Sequence, residues 1–257
     1  EMPETSHLKV ALVVSMVSLR RTLQRVVQRI PGLGTASIIG PSDVAREDYD
    51  ILIVDEAHRL RRRVNLTNFK SYDDTNKALG LQKEATQLDW ILKRSRQQIL
   101  FYDKFQNVMP GDVRAEDFAA IRATELSLKS QMRVRGGNNY LQFIDDLFAL
   151  RTTALKTSDY DFKIYDDIRE MVADVQKRDA EHSLARLVAG YAWDWVTPDG
   201  EEFDIEIDGL KMVWNRTNLD WVNSKGARNE VGCIHTIQGY DLNYAGALIG
   251  PEISYEE

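Results

Sequence analysis

The chain has 257 residues, of which 43% are hydrophobic and 28% are charged, and its formal net charge is −7. These values are typical of a folded globular protein and exclude the disordered and collagen-like classes. No apolar run approaches the roughly 18–20 residues of a membrane span, and the first residues lack the pattern of a secretory signal. Cys233 is the only cysteine, which excludes an internal disulfide and fits a reducing compartment. We therefore expect a cytoplasmic protein with no membrane partner.

The first half of the chain alternates short apolar runs with amphipathic segments. Apolar runs rich in β-branched residues predict buried strands of a parallel sheet, and apolar residues at spacings of three and four predict helices. We predict helices over residues 19–30 and 75–94, and strands over residues 9–15, 36–40, 49–55 and 98–103. This alternation is typical of an α/β fold with right-handed crossovers.

The second half continues the alternation around a flexible break at residues 135–139, which read Arg-Gly-Gly-Asn-Asn. We place a domain boundary near residue 130. We predict helices over residues 115–130, 140–150 and 166–177, a loop over residues 197–228, and strands over residues 162–165, 184–193, 231–235 and 245–250.

Two adjacent carboxylates end the best-defined strand. Asp55 and Glu56 follow the apolar residues 51–54, ahead of Ala57 and His58. In open α/β sheets, ligands bind at the carboxyl edge. Adjacent carboxylates repel each other, and Mg²⁺ with a triphosphate relieves this: one acid holds the metal and the next polarises the attacking water. The pair predicts a site for ATP and Mg²⁺, and a surface turn that is merely acidic remains the alternative.

Two further positions are suited to sensing a phosphate. Asp103 and Gln106 lie at the end of the next predicted strand. A neutral amide beside a γ-phosphate can report its presence without adding charge. Arg133 lies beside the domain boundary, where a guanidinium could reach across a cleft and neutralise transition-state charge. A solvated strand end would explain Asp103 and Gln106 equally well, and an ordinary surface position would explain Arg133. Both alternatives stay open.

A polar segment follows the apolar run that ends at Cys233. It contains His235, Thr236, Gln238, Gly239 and Asp241. The absence of a side chain at Gly239 would let the main chain approach a ligand closely. A core strand or a hairpin would not need so many donors and acceptors. With four histidines and one cysteine in the chain, no metal-spaced cluster occurs, so we do not expect His58 to bind zinc.

Taken in order, these segments resemble the motifs of superfamily 1 helicases. They are most similar to a bacterial group of helicase-like ATPases whose ATPase region also resembles that of the Schlafen proteins. Residues 12–19 resemble motif Ia, residues 54–60 motif II, residues 101–106 motif III, residues 131–133 motif IV and residues 234–246 motif V. The resemblance implies a P-loop NTPase fold with two RecA-like domains, residues 1–130 and 131–257, each a parallel sheet with flanking helices.

The resemblance also implies a role for each motif residue. Asp55 would coordinate Mg²⁺ and Glu56 would activate water. The residues implied to hydrolyse ATP or sense its γ-phosphate are Asp55, Glu56, Gln106 and Arg133. The residues implied to couple ATP binding to contact with a nucleic-acid strand are Gln238, Gly239 and Asp241. Those implied to lie on the nucleic-acid side are Ser15, Ser18, His235 and Thr236.

Two motifs of the family are missing from the chain. No Gly-x-x-x-x-Gly-Lys-Ser/Thr loop precedes the first strand, and motif VI does not follow motif V. We therefore expect an incomplete motor. Its first RecA-like domain lacks the phosphate-binding loop, its second is truncated before motif VI, and the piece alone is inactive.

The leading hypothesis is a nucleic-acid-dependent ATPase or helicase-like motor that acts on DNA or RNA, with a single strand as the favoured partner. One alternative is a non-hydrolysing module that binds nucleic acid or protein. The other is an ATP-gated switch of a nuclease-type defence protein, with a nuclease domain or partner upstream. A Gly-Lys-Thr loop upstream would favour the ATPase, and a nuclease motif there would favour the gated switch.

Overall fold

The computed structural model describes residues 8–32, 34, 37–107, 109–151, 154–155, 160–194, 202–217, 220–237, 239–251 and 253–254. The chain divides into two compact units, Glu1–Ala123 and Thr124–Glu257. Each unit contains a sheet of mainly parallel strands, which confirms the predicted α/β class. The RecA-like identity of the two units stays a prediction.

The first unit is built on a four-stranded parallel sheet. Its elements in chain order are β1 (Val10–Val14), α1 (Val17–Val27), β2 (Ile38–Ile39), β3 (Tyr49–Asp55), α2 (Phe69–Ala78), α3 (Gln87–Arg94), β4 (Ser95–Leu100) and α4 (Ala115–Ala119). The strands lie in the order β2-β1-β3-β4. Val14 pairs with Asp55 and Val54 with Leu100, so β1, β3 and β4 end at the same edge.

The core of the first unit forms around β3. Leu52 and Val54 have no exposed surface, and they belong to one apolar cluster with Val13 of β1 and Ile91 of α3. Fully burying an aliphatic side chain of this size stabilises a fold by about 1.5–3 kcal/mol. The packing therefore fixes the position at which β3 emerges from the core as Asp55.

Two predicted helices of the first unit were wrong in extent. Residues 75–94 form two helices, because Gly80 adopts a φ of 67° just after α2 and a capping box between Thr86 and Asp89 starts α3. The helix predicted over residues 115–130 ends with α4. Beyond it, Leu126 and Leu128 are each 88% exposed, so no packed face stabilises further helical turns.

The second unit is built on a five-stranded sheet. Its elements in chain order are α5 (Gly137–Phe148), α6 (Ile168–His182), β5 (Ala185–Ala189), β6 (Ile205–Ile207), β7 (Leu210–Trp214), β8 (Glu230–Cys233), α7 (Ile234–Ile237) and β9 (Tyr244–Leu248). The strands lie in the order β6-β7-β8-β5-β9, and β6 alone runs antiparallel to its neighbour. All five residues of β5 are buried, as expected of a strand covered on both faces.

Two predictions for the second unit were wrong. Residues 162–165 form no strand, and Tyr165 instead donates a hydrogen bond of 2.6 Å to the Asp174 carboxylate on α6. The predicted loop over residues 197–228 contains the hairpin of β6 and β7. Asp208 and Gly209 form its turn with φ values of 49° and 74°, which an Asp-Gly pair readily adopts.

A buried carboxylate joins α6 to β5. Asp179 accepts hydrogen bonds from the Ala185 N–H at 3.1 Å and from the Arg186 guanidinium at 2.6 Å, and Arg228 lies 2.8 Å from its other oxygen. Burial alone would raise the pKa of Asp179, but these donors outweigh it and hold the pKa below its usual value. The carboxylate therefore stays ionised and fixes the start of β5.

The backbone of β8 at Gly232 lies directly against a buried ring. A Cβ at this position would lie 2.2 Å from the Trp221 ring, which has no exposed surface. We expect Gly232→Ala to lower the free energy of unfolding by about 1–3 kcal/mol, because the overpacked ring has to move. Chemical denaturation measures the change. Gly34→Ala is the matched control, since a Cβ there meets nothing within 4 Å, and equal losses in both variants would contradict this packing.

Candidate functional site

The acid pair lies where the strand order of the first sheet reverses. The chain leaves β1 through α1 to β2 on one side, and β3 lies on the other side of β1. Ligands of open α/β sheets bind in the crevice at such a switch point. Ser15 follows β1 and Asp55 ends β3 at this crevice. The fold thus puts two predicted site residues at a position suited to a ligand.

Two residues at this crevice carry oxygen atoms of the kind that a hard cation binds. Asp55 is half-buried, and one carboxylate oxygen accepts the Glu56 N–H at 3.1 Å. The Ser15 hydroxyl oxygen is buried and has no hydrogen-bond partner in the described part of the chain. Mg²⁺ binds oxygen ligands and usually keeps several waters, needing only one or two carboxylates besides substrate phosphates. Asp55 therefore fits as its ligand, with Ser15 as a second oxygen nearby.

The site does not form a complete metal cage from protein groups. Within the described ranges, no three His, Cys, Asp or Glu side chains come together as a possible metal centre. A cation at Asp55 would therefore need ligands from a bound phosphate and from water.

Glu56 occupies a left-handed turn, with φ of 50° and ψ of 49°, and its side chain meets a buried histidine. One Glu56 carboxylate oxygen lies 2.9 Å from Nε2 of His58, off the line of a straight hydrogen bond. His58 is only 1% exposed, and its Nδ1 accepts the Asp103 N–H at 3.3 Å. Because Nδ1 acts as an acceptor, a neutral ring carries its proton on Nε2, facing Glu56.

The turn after β3 is also joined by backbone hydrogen bonds to the segment after β4. The Phe101 N–H donates to the Val54 carbonyl at 2.9 Å, and the Ala57 N–H donates to the Phe101 carbonyl at 2.7 Å. His58 adds a side-chain link between the same two segments. The Glu56 side chain remains 28% exposed, so water can still reach its carboxylate.

Gln106 lies on the same sheet edge, in a short 3-10 turn after β4. Its amide donates to one oxygen of Asp103 at 2.9 Å, and the other Asp103 oxygen accepts the Phe105 N–H at 2.9 Å. Asp103 therefore holds both the turn and the amide. The first unit brings Asp55, Glu56 and Gln106 to one edge, while their roles stay predictions.

Ser18 and Arg133 lie in different units. Ser18 is half-buried in the first turn of α1, directly after the crevice. Arg133 is an exposed residue of the second unit, and its N–H donates to the Gln131 side chain at 2.7 Å. Its role towards a γ-phosphate stays a prediction.

Thr236 joins the ends of two strands in the second unit. It is 6% exposed, and its hydroxyl lies 2.6 Å from the Asn215 side-chain oxygen and 2.8 Å from the Cys233 carbonyl. Asn215 directly follows β7 and donates its own amide to the Thr217 carbonyl at 3.0 Å. Thr236 thus fixes the start of α7. Its predicted contact with nucleic acid would need this turn to open.

Three other predicted residues of this segment are more accessible than Thr236. His235 is half-buried on α7, and Gly239 and Asp241 are exposed. Gly239 has a φ of 90°, a conformation that favours glycine over any residue with a side chain. Gln238 lies outside the described residues. The predicted roles of these four residues are untested.

Sequence reasoning missed the parts played by His58 and Asn215. His58 was considered as a metal ligand or a base, yet its position two residues after Glu56 signalled that it could contact the acid pair. Asn215 gave no comparable signal, because its partners Cys233 and Thr236 are distant in sequence and meet it only in the folded sheet.

The comparisons with known proteins place the chain in a family. The family of Schlafen group 3 DNA/RNA helicase domains matches residues 4–257, so the chain belongs to this helicase domain family. This confirms the Schlafen part of the predicted resemblance. The assignments to superfamily 1 and to a bacterial group stay predictions.

One curated relative is an uncharacterized protein of Saccharomyces cerevisiae, YPL245W. It is 28% identical over 240 residues, covering 80% of this chain and 50% of the yeast protein. The chain thus spans about half the length of this relative. No solved structure matches the chain. Among the described residues, no helix is both long enough and apolar enough to cross a membrane.

Removing the His58 ring tests the link between the two segments. His58→Ala leaves the Asp103 N–H without its acceptor and opens a cavity, so we expect a loss of about 2–3 kcal/mol in the free energy of unfolding. Urea denaturation measures it. His182→Ala is the control, because that side chain is 49% exposed on α6, and we expect its loss to be below about 1 kcal/mol. Similar losses in the two variants would argue against the link.

Proposed function

We propose that this chain is part of a nucleic-acid-dependent ATPase, a helicase-like motor that couples ATP hydrolysis to translocation on, or remodelling of, DNA or RNA. The observation that carries the proposal is the placement of Asp55 and Glu56 at the switch point of a parallel sheet. Membership of a helicase domain family supports it. The proposed partner is single-stranded DNA or RNA, and the proposed cofactors are ATP and Mg²⁺.

Each residue at this edge has a distinct task in the proposed reaction. Asp55 would hold Mg²⁺, which when bound neutralises charge on the phosphates. Glu56 would accept the proton of the attacking water, and the His58 ring, 2.9 Å away, would restrict the positions that its carboxylate can adopt. Gln106, held by Asp103, would contact the γ-phosphate with a neutral amide.

The proposed base is tested with the protein expressed from its complete reading frame. We expect ATP hydrolysis that single strands stimulate, and we expect Glu56→Gln to lower its rate about a hundredfold or more, since general bases contribute about 10²–10⁴-fold. A phosphate-release assay measures the rate. The control is Glu116→Gln, whose side chain is 80% exposed in the same unit and should leave the rate unchanged. Unchanged hydrolysis in Glu56→Gln would exclude Glu56 as the base.

A second candidate is a platform that binds nucleic acid without hydrolysing ATP. Two observations favour it. The 257 residues of the chain contain no phosphate-binding lysine loop. The Glu56 carboxylate contacts a buried histidine rather than lying free in the crevice. In this case the protein from the complete reading frame would still bind single-stranded nucleic acid. It would hydrolyse ATP no faster than the Glu56→Gln variant.

The missing loop has its own measurable consequence. We expect the 257-residue chain to bind ATP weakly or not at all, because it has no glycine-rich loop and lysine to surround the phosphates. Isothermal titration calorimetry with MgATP measures this. Tight binding by this chain would show that other groups can replace the loop.

A further inference from the structure

An exposed aromatic side chain follows a fully buried strand of the second unit. Every residue of β5 is buried, yet Tyr191, two positions beyond its end, is 67% exposed. Ala189, the last residue of β5, pairs with Cys233, the last residue of β8. Tyr191 and His235 each lie two residues beyond this pair. Because the two strands run parallel, this register brings the two rings together at the carboxyl edge of the sheet.

Contacts with its neighbours hold the Tyr191 ring in place. Its centroid lies 5.5 Å from that of His235 and 6.1 Å from that of Trp214, and its plane is within 28° of the Trp214 plane. Trp214 is only 3% exposed and belongs to the core. Burial, followed by contact with the Cys233 thiol, raises the pKa of Tyr191 to about 12, so the ring is neutral at physiological pH. The ring is thus anchored on one side and open on the other.

This arrangement differs from that of an ordinary exposed ring. Phe203 is 54% exposed in the same unit, and in the described part of the chain no ring contact or cation–π contact involves it. An aromatic ring that serves only the core would bury most of its surface. Tyr191 combines fixed orientation with a large exposed area, which is the requirement for stacking a planar ligand with little loss of entropy.

We propose that Tyr191, with His235 beside it, is a platform on which one unpaired nucleobase stacks. The inference rests on the proposed function, because a strand-dependent ATPase must bind bases. Ligands of parallel sheets bind at the carboxyl edge, where both rings lie. Stacking on an aromatic face tolerates any base, as a motor that moves along a strand requires. The adenine of ATP presents the same planar face as a base of a nucleic-acid strand. The experiment therefore has to distinguish these two sources of the stacked base.

The experiment uses 2-aminopurine, whose fluorescence falls when it stacks on an aromatic ring. One probe is an oligothymidine with a single 2-aminopurine, and the other is 2-aminopurine riboside triphosphate with Mg²⁺. We expect the wild-type protein to quench at least one probe. Tyr191→Ala should abolish the quenching and weaken binding of that probe about tenfold, in line with the effect of removing a stacked aromatic. Tyr191→Phe should keep both, and Phe203→Ala is the matched control.

The pattern of quenching identifies the source of the base. Quenching of the oligonucleotide assigns the platform to a strand, and quenching of the triphosphate assigns it to the nucleotide. Tyr191→Leu keeps an apolar side chain of similar length, so it replaces Tyr191→Ala if the smaller variant unfolds. Binding and quenching retained in either variant would overturn the platform alone. Failure of the wild-type protein to bind either probe would overturn both the platform and the proposed motor.

Discussion

The parallel pairing of β3 with β1 and β4 is the constraint on which the candidate site of the first unit depends. Val14 pairs with Asp55 and Val54 with Leu100, and the ladder continues beyond the strands when the Ala57 N–H donates to the Phe101 carbonyl. A slip by one residue would turn every side chain of β3 to the opposite face and move the acid pair relative to its neighbours. The buried side chains of β3 prevent that slip, so the same packing that stabilises the sheet also positions Asp55 and Glu56.

His58 shows how the sheet edge supports a costly local conformation. A left-handed backbone at a residue other than glycine costs roughly 1–2 kcal/mol, and Glu56 adopts it. The turn brings His58 into the core, where its Nδ1 satisfies the Asp103 N–H and its Nε2 faces the carboxylate. One buried ring thus satisfies a backbone donor and lies 2.9 Å from an acid. Backbone strain of this kind is often found at functional positions, which agrees with the role proposed for Glu56.

Local signals predicted the parts of the fold that local residues determine. The strand over residues 49–55 was predicted with its observed bounds, because an unbroken apolar run ends there in two acids. The β6–β7 hairpin was not predicted, because the polar residues around it suggested a loop. Asp208-Gly209 is nevertheless a strong turn signal. Sequence reasoning also missed the tautomer of His58 and the neighbours of Tyr191. These depend on strand register, which brings together residues that are distant in sequence, such as Asp103 with His58 and His235 with Tyr191.

The two sheets offer different chemistry at equivalent edges. The edge of the first sheet carries carboxylates, a buried hydroxyl and an amide, which suit a cation and the phosphates that accompany it. The edge of the second sheet carries Tyr191, His235 and Asn215, which have no negative charge and expose an aromatic surface suited to a base. A nucleotide or a strand contains both kinds of group, charged phosphates and planar bases. In the proposed motor, separate sites for the two kinds of group are an advantage, because a carboxylate beside the stacking ring would repel the phosphate attached to each stacked base.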